Sequence, residues 1–143
     1  MPSNFSFKVM NATHRIMLKL TGGRTGWTAM RMPVLELTTT GRKTGRPHSV
    51  MLTSPLQEGR TLVVVASRGG GDTSPAWFLN LKAHPDVEVV LQGKAKQHMH
   101  ARIATPEERN RLWPLVTAHH SNYADYQKLT KRVIPLVLLE PIS

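Results

Sequence analysis

The stretch VLELTTTGRKTGRPHSV, residues 34 to 50, begins as a run of Val, Leu and Thr, breaks around two glycines, and resumes as a second extended run. Residues of this kind suit the pleated, half-buried surface of a strand. Gly41 and Gly45 flank Arg42-Lys43-Thr44. The backbone can therefore turn sharply there while amides, a hydroxyl and cations converge on one side. That is phosphate chemistry carried on a strand-to-strand turn. The order Gly-x-x-x-x-Gly-Lys-Ser/Thr is missing, so this is not a Walker A loop, and Gly69-Gly70-Gly71 lacks the Gly-x-Gly-x-x-Gly spacing of a dinucleotide fingerprint. Standing alone, the turn could equally be a solvated basic loop; the rest of the chain has to decide.

Composition supports an anionic partner. Nineteen Lys and Arg oppose nine Asp and Glu, a formal charge of +10, and such a surface field attracts anions. Lys8, Arg15, Lys19, Arg24, Arg31, Arg42, Lys43 and Arg46 all precede His48, and Glu36 is the only acid in that part of the chain. At 143 residues the expectation is a single domain spanning 1–143. There is no cysteine, hence no disulfide framework, no thiolate nucleophile and no sulfur ligand for zinc or an iron–sulfur cluster. No apolar run approaches membrane-spanning length and no signal-peptide pattern opens the chain, so a cytoplasmic protein is expected. Phe5, Val9, Ala12, Ile16 and Leu20 recur at helical steps, which predicts an amphipathic helix over about 5–20. Lys8, Arg15 and Lys19 lie on an adjoining stripe. Such a helix can cover the core or make peripheral contact with a membrane surface.

After Pro33 the chain reads as strands at 34–38, 48–55, 61–67, 86–92, 95–103 and 133–139, with hairpin turns at Gln57-Glu58-Gly59 and Gln92-Gly93-Lys94. A helix is expected after Ser74-Pro75, with Ser74 as N-cap and Pro75 first in the helix, ending near His84-Pro85. A second should open at Thr105-Pro106-Glu107-Glu108, which has capping-box spacing, and run to about Ala118 with a kink at Pro114. A third is expected over 122–131. The fold class is thus α+β, mainly β, with six mainly antiparallel strands able to curl into a small barrel and helices outside it.

The apolar strand Leu62-Val63-Val64-Val65-Ala66-Ser67 empties into Arg68-Gly69-Gly70-Gly71 shortly before a helix start. Glycines there let a ring or a phosphate approach the backbone, and a helix N-terminus favours negative charge. Trp77, Phe78, Asn80 and Leu81 follow on that helix. An aromatic plane beside an amide suits a heteroaromatic ligand, although aromatic residues on a short helix are commonly core.

The motifs TTTGRKTGRP, VVVASRGG, SPAWFLNLKAHPDVEV, ARIATPEERNRLWP and YADYQKLTKRVIPLVLLEP, with LTGG ahead of them, stand in the order and at about the spacing of the deazaflavin-dependent nitroreductase family. The chain resembles that family from about residue 8 to Pro141. The resemblance implies a split β-barrel, akin to the FMN-binding split barrels, that binds reduced coenzyme F420 and passes a hydride to a small electron-poor acceptor, a quinone, nitroaromatic or activated enone. Carried over by position, it places Arg42, Lys43 and Thr44 on the coenzyme's phosphate and acidic tail. His48, Ser49, Val50, Met51, Leu52 and Thr53 would run along its ribityl chain and one side of the ring. Val65, Ala66, Ser67 and Arg68 would lie at the ring edge, and Ala76, Trp77, Phe78, Leu79 and Asn80 would complete the pocket. Tyr123 and Tyr126 would close the acceptor side, with Tyr123 or Ser67 orienting the acceptor or supplying a proton. The family's best-known nitroreductase has tyrosine where His120 stands here, and arginine is common where His48 stands.

A deazaflavin carries the hydride itself, so the protein supplies binding, orientation and electrostatics, and no catalytic triad is needed. Other classes stay in view. An FMN- or haem-binding barrel shares the expected fold, and a non-catalytic coenzyme carrier shares the expected site. A nucleic-acid binder would use the charge, but no aromatic ladder interleaves the basic residues. His98 and His100 can share a strand face, yet no acid is near them in sequence, and no metal is expected. Split barrels often pair, which makes a homodimer compatible with the resemblance.

Overall fold

The computed structural model describes Thr28–Ala29 and Met32–Ile142. The helix expected over 5–20 lies outside the described residues. The strands are β1 (Thr28–Ala29), β2 (Met32–Thr40), β3 (Pro47–Thr53), β4 (Leu56–Glu58), β5 (Thr61–Val65), β6 (Asp86–Leu91), β7 (Gln97–Ile103) and β8 (Leu136–Pro141). Helix α1 (Ala76–Ala83) lies between β5 and β6, and α2 (Pro106–His119) and α3 (Asn122–Lys128) lie between β7 and β8. The sheet runs β1-β2-β6-β7-β8-β5-β4, with β3 paired to β2, and every pairing is antiparallel.

All six expected strands are present, and β1 and β4 are additional. β4 falls where a turn was expected: Leu56, Gln57 and Glu58 pair with Val63, Leu62 and Thr61. The hairpin turn is therefore at Gly59-Arg60, and Gly59 takes the positive φ of 61°. The other hairpin turn is where the sequence puts it. Gln92 and Gly93 both have positive φ, 49° and 73°, and the Lys94 amide donates to the Leu91 carbonyl at 2.9 Å. That is the turn whose twist matches two antiparallel strands.

The centre of the molecule is the pair β5 and β8, joined from Leu62↔Leu139 to Val65↔Leu136. Leu62, Val64, Val137 and Leu139 face one core with Leu35, Leu37, Val89, Met99 and the α1 residues Trp77, Phe78 and Leu81. Val63, Val65, Leu136 and Leu138 face a second core with Met32, Leu112, Val116, Tyr123 and Ile134. A strand covered on both faces has no polar side to alternate with, so it reads as an uninterrupted apolar run. Removing such a buried leucine, Leu139→Ala for example, costs about 2–5 kcal/mol.

Helix α1 corrects one expectation. Pro75 itself occupies the N-cap position with extended ψ of 155°, Ser74 lies upstream, and no side chain caps the helix. Proline's ring fixes φ but its ψ remains open, which lets it stand just outside the helix. The capping box of α2 forms as the sequence spells it: the Glu108 amide donates to Thr105 Oγ1 at 3.2 Å and the Thr105 amide donates to Glu108 Oε1 at 2.9 Å. Pro114 sits inside this helix, which continues to His119. Helix α3 stops at Lys128, three residues before the expected end.

Glu108 does a second job. Arg102 on β7 donates to it from both terminal nitrogens, at 2.6 and 2.9 Å, and from Nε to Glu140 of β8 at 3.0 Å. The Arg102 bonds, with the Thr105 amide behind them, hold the Glu108 carboxyl down at about 2. A depressed carboxylate stabilises the fold above its unfolded value near 4.5 and loses that contribution as pH falls toward 2. Glu108→Gln is expected to lower the urea midpoint at pH 7. The gap from wild type should close between pH 4.5 and 2, as urea titrations across that range would show.

Candidate functional site

The β2–β3 turn is built around its glycines. The Gly41 amide donates to the Arg46 carbonyl and the Gly45 amide to the Gly41 carbonyl, both at 2.8 Å. Gly45 has φ of 70°, a conformation that costs a side-chain-bearing residue energy. Gly41 is buried, and a Cβ there would lie 2.5 Å from Thr44 Oγ1 and 2.7 Å from His48 Nε2. Those two atoms bond each other across the turn at 3.2 Å, and Thr44 Oγ1 also accepts from the Arg46 amide at 3.2 Å. His48 and Thr44 therefore brace the turn, while the amides of Lys43 and Thr44 have no partner among the described residues.

Asn80 of α1 is the post on which this turn rests. Its Oδ1 accepts from the Arg42 amide at 3.2 Å and from Arg42 Nη1 at 2.9 Å, and its Nδ2 donates to Thr39 Oγ1 at 3.2 Å. Asn80 and Thr39 are both buried, where polar groups persist only when bonded. The partner of Arg42 is a neutral amide. Among the described residues neither Lys43 nor Arg46 has a carboxylate within ion-pair distance. Three uncompensated cations and two bare amides thus share one exposed turn, a constellation suited to a multiply charged anion.

β3 leads from this turn into the interior. Ser49 Oγ and Thr38 Oγ1 are 2.7 Å apart, Val50 and Leu52 pack on the barrel core, and Met51 is buried. At the end of β3, Thr53 Oγ1 lies 3.3 Å from the Tyr123 hydroxyl, which donates to Met32 Sδ at 3.6 Å. Burial raises the Tyr123 pKa above the ordinary tyrosine value, with the Thr53 bond pulling the other way and Tyr126 adding to the rise. Tyr126 stands edge-on to Tyr123, ring centres 6.0 Å apart. Nearby, burial and then His119 push the His120 pKa below the ordinary histidine value.

β5 ends at Val65, which faces the second core, and Ala66-Ser67 enters a tight turn. Arg68, Gly69 and Gly70 all have positive φ. Arg68 Nη1 donates to Thr73 Oγ1. A Cβ on Gly70 would lie 2.8 Å from the Tyr126 carbonyl, so α3 rests directly on this turn. On α1, Ala76 is exposed and Leu79 half-buried, while Trp77 and Phe78 are buried in the barrel core with rings 6.4 Å apart and nearly perpendicular.

Some of the expected site residues gather in two groups, while Trp77 and Phe78 belong to the barrel core and Ser67 and Arg68 to the turn after β5. The turn at 41–46, His48 and Asn80 form one, and Thr53, Tyr123 and Tyr126 form the other. Sequence reasoning placed Asn80 in a ring pocket but did not show it as the support of the cationic turn, and it did not find Thr39 at all. It also left His98 and His100 without acids, whereas the β6–β7 register sets Glu88 opposite His98 and Asp86 opposite His100. The contacts are 4.0 and 3.6 Å.

The sequence profile of the F420H(2)-dependent quinone reductase family matches residues 10–141. The chain belongs to this family. The F420H(2)-dependent quinone reductase Rv1261c of Mycobacterium tuberculosis (strain ATCC 25618 / H37Rv) is 38% identical over 130 residues, 88% of this chain and 86% of that protein. Among solved structures, an F420-H2 dependent reductase (FDR-A) superposes with a TM-score of 0.66 at 37% identity, covering 76% of this chain and 94% of that one. A second, described as a domain-swapped dimer, gives 0.69 at 35% identity over 92% of this chain and 96% of that one. The sheet is a split β-barrel, the fold of the F420-H2 dependent reductase it superposes on.

Gly41→Ala tests the geometry of the turn independently of any ligand. The added methyl must displace Thr44 or His48, so the variant is expected to lose about 1–3 kcal/mol. Its His48 side-chain NMR signals should shift, whereas Gly59→Ala, with open space around it, should leave them in place.

Proposed function

We propose that this protein oxidises reduced coenzyme F420 and delivers its hydride to a quinone. The observation that carries the proposal is the set of uncompensated cations at 42, 43 and 46 on a turn already braced by Thr44, His48 and Asn80. A coenzyme with a phosphate and a carboxylate tail matches this donor set in sign and multiplicity. The family and the names of its relatives support the same choice of coenzyme and acceptor.

The coenzyme, when bound, supplies the hydride. Arg42, Lys43 and Thr44 would hold its phosphate and tail. His48, Ser49, Val50, Met51, Leu52 and Thr53 would line its ribityl chain, and Val65, Ala66, Ser67 and Arg68 would meet the ring edge. Ala76, Trp77, Phe78, Leu79 and Asn80 would back the pocket. Reduction of a quinone to a hydroquinone takes one hydride and one proton: the hydride brings two electrons and the first new hydrogen to give the hydroquinone anion, and the proton brings the second and neutralises it. Tyr123 is suited to give that single proton, because burial keeps its hydroxyl neutral and Thr53 orients it. Tyr126 would wall the acceptor side.

Two wider readings belong to this proposal. The amphipathic 5–20 segment, with Lys8, Arg15 and Lys19, would bring a cytoplasmic enzyme to the membrane surface where lipid-soluble quinones reside. The solved relative described as a domain-swapped dimer supports a homodimer.

Lys43→Ala is expected to weaken coenzyme binding about tenfold in fluorescence titrations and to flatten its dependence on salt, since one contact with the anion is gone. Unchanged affinity and salt dependence would sink the proposed site. Tyr123→Phe should leave coenzyme affinity intact while kcat for a quinone falls roughly a hundredfold. Wild-type kcat should hold through the neutral range and decline only above pH 10, because the raised pKa keeps the proton in place below that point. The phenylalanine variant should lack that alkaline limb.

A further inference from the structure

Arg132 lies between α3 and β8, and its guanidinium bonds main-chain carbonyls, not a carboxylate. Its Nε donates to the Gly71 carbonyl at 2.9 Å, and its Nη2 donates to the carbonyls of Ala66 and Ser67, both at 3.0 Å. Its own backbone is fixed by Gln127, whose Nε2 donates to the Arg132 carbonyl at 2.7 Å while its Oε1 accepts from the Ile134 amide at 2.9 Å. Nη1 is buried and has no partner. A guanidinium held there with unspent donors is a poor choice for stability alone.

What it does to the loop follows from peptide geometry. The carbonyl and amide of one trans peptide point in opposite directions, and the described residues contain no cis peptide. Drawing the Ala66 carbonyl toward Arg132 turns the Ser67 amide away from it, and drawing the Ser67 carbonyl in turns the Arg68 amide away likewise. The Ser67 amide and Oγ have no partner among the described residues. The same segment carries Arg68 at φ of 47°, a conformation unfavourable for a residue with a Cβ that persists only where the surroundings enforce it.

We propose that Arg132 is a positioning residue for the coenzyme's ring: by gathering the carbonyls of Ala66, Ser67 and Gly71 it aims the Ser67 amide at the ring's polar edge. The inference rests on the F420 reading above. Arg132 touches neither coenzyme nor acceptor; it acts through the loop. Because Gly70 of the same loop supports α3 at the Tyr126 carbonyl, the device also fixes the ring edge relative to the helix that bears both tyrosines.

The test compares Arg132→Lys, Arg132→Gln, Ser67→Pro and Lys43→Ala, each titrated with the reduced coenzyme and with its deazaflavin head lacking phosphate and tail. Lysine keeps the charge but cannot bond three carbonyls as a fork. Proline fits the Ser67 φ of −80° and deletes the amide while Arg132 stays. Both Arg132 variants and Ser67→Pro are expected to weaken both ligands about tenfold and to move the bound coenzyme's absorption band toward its position in water. Lys43→Ala should weaken only the tailed coenzyme. Wild-type head affinity and an unshifted band in folded Arg132→Lys, or in Ser67→Pro if neither Arg132 variant folds, would overturn the positioning role. Were Lys43→Ala also without effect on the coenzyme, the F420 site itself would be misplaced.

Discussion

Burial of β5 and β8 on both faces is the constraint from which the rest of the structure follows. Leu62, Val64, Val137 and Leu139 need one apolar layer, and Val63, Val65, Leu136 and Leu138 need another. The barrel with α1 supplies the first, and α2 with α3 the second. Hydrophobic burial has no direction of its own, but two opposed layers on one strand pair determine where each helix must sit. α1 thereby comes to lie beneath the β2–β3 turn, and α3 comes to lie beside the end of β3, where Tyr123 meets Thr53.

Polar contacts then refine what packing has placed. The cationic turn is held by uncharged groups, the Asn80 amide and the hydroxyls of Thr39 and Thr44. No carboxylate among the described residues holds it, and this matters for its chemistry. An internal ion pair would brace the turn but neutralise the field it presents, whereas neutral acceptors brace it and leave the charge outward. Single exposed ion pairs contribute little. Several cations gathered on one turn whose backbone is already fixed contribute more, because the backbone need not reorganise when the anion arrives. By contrast, the ion pairs that do serve the fold are remote from the turn. Arg102 with Glu108 and Glu140 ties α2 to β7 and β8, and Arg111 reaches Glu58 of β4.

The six principal strands were legible because each is a short apolar or β-branched run with a clear boundary. β4 was not, because Gln57 and Glu58 look like turn residues and owe their extended form to pairing with Leu62 and Thr61. The α2 capping box was legible because its atoms lie within four residues of one another. Ser74 misled because its spacing fits a cap, while Pro75 can stand at the boundary itself. In the site, the basic turn announced itself through Gly41 and Gly45. The groups that orient it did not. Asn80 lies 38 residues from Arg42, and Arg132 lies 61 to 66 residues from the carbonyls it gathers. No local pattern encodes such pairs; only the closed sheet brings them together.

The lack of cysteine takes on a chemical meaning once the acceptor is a quinone. Such molecules are electrophiles as well as oxidants, and thiolates are the side chains they most readily arylate. This chain offers them none. The remaining soft nucleophiles among the described residues, the thioethers of Met32, Met51 and Met99, are all buried, Met32 beneath the hydroxyl of Tyr123. Among the described residues, the softest nucleophiles are thus withheld from a reactive substrate.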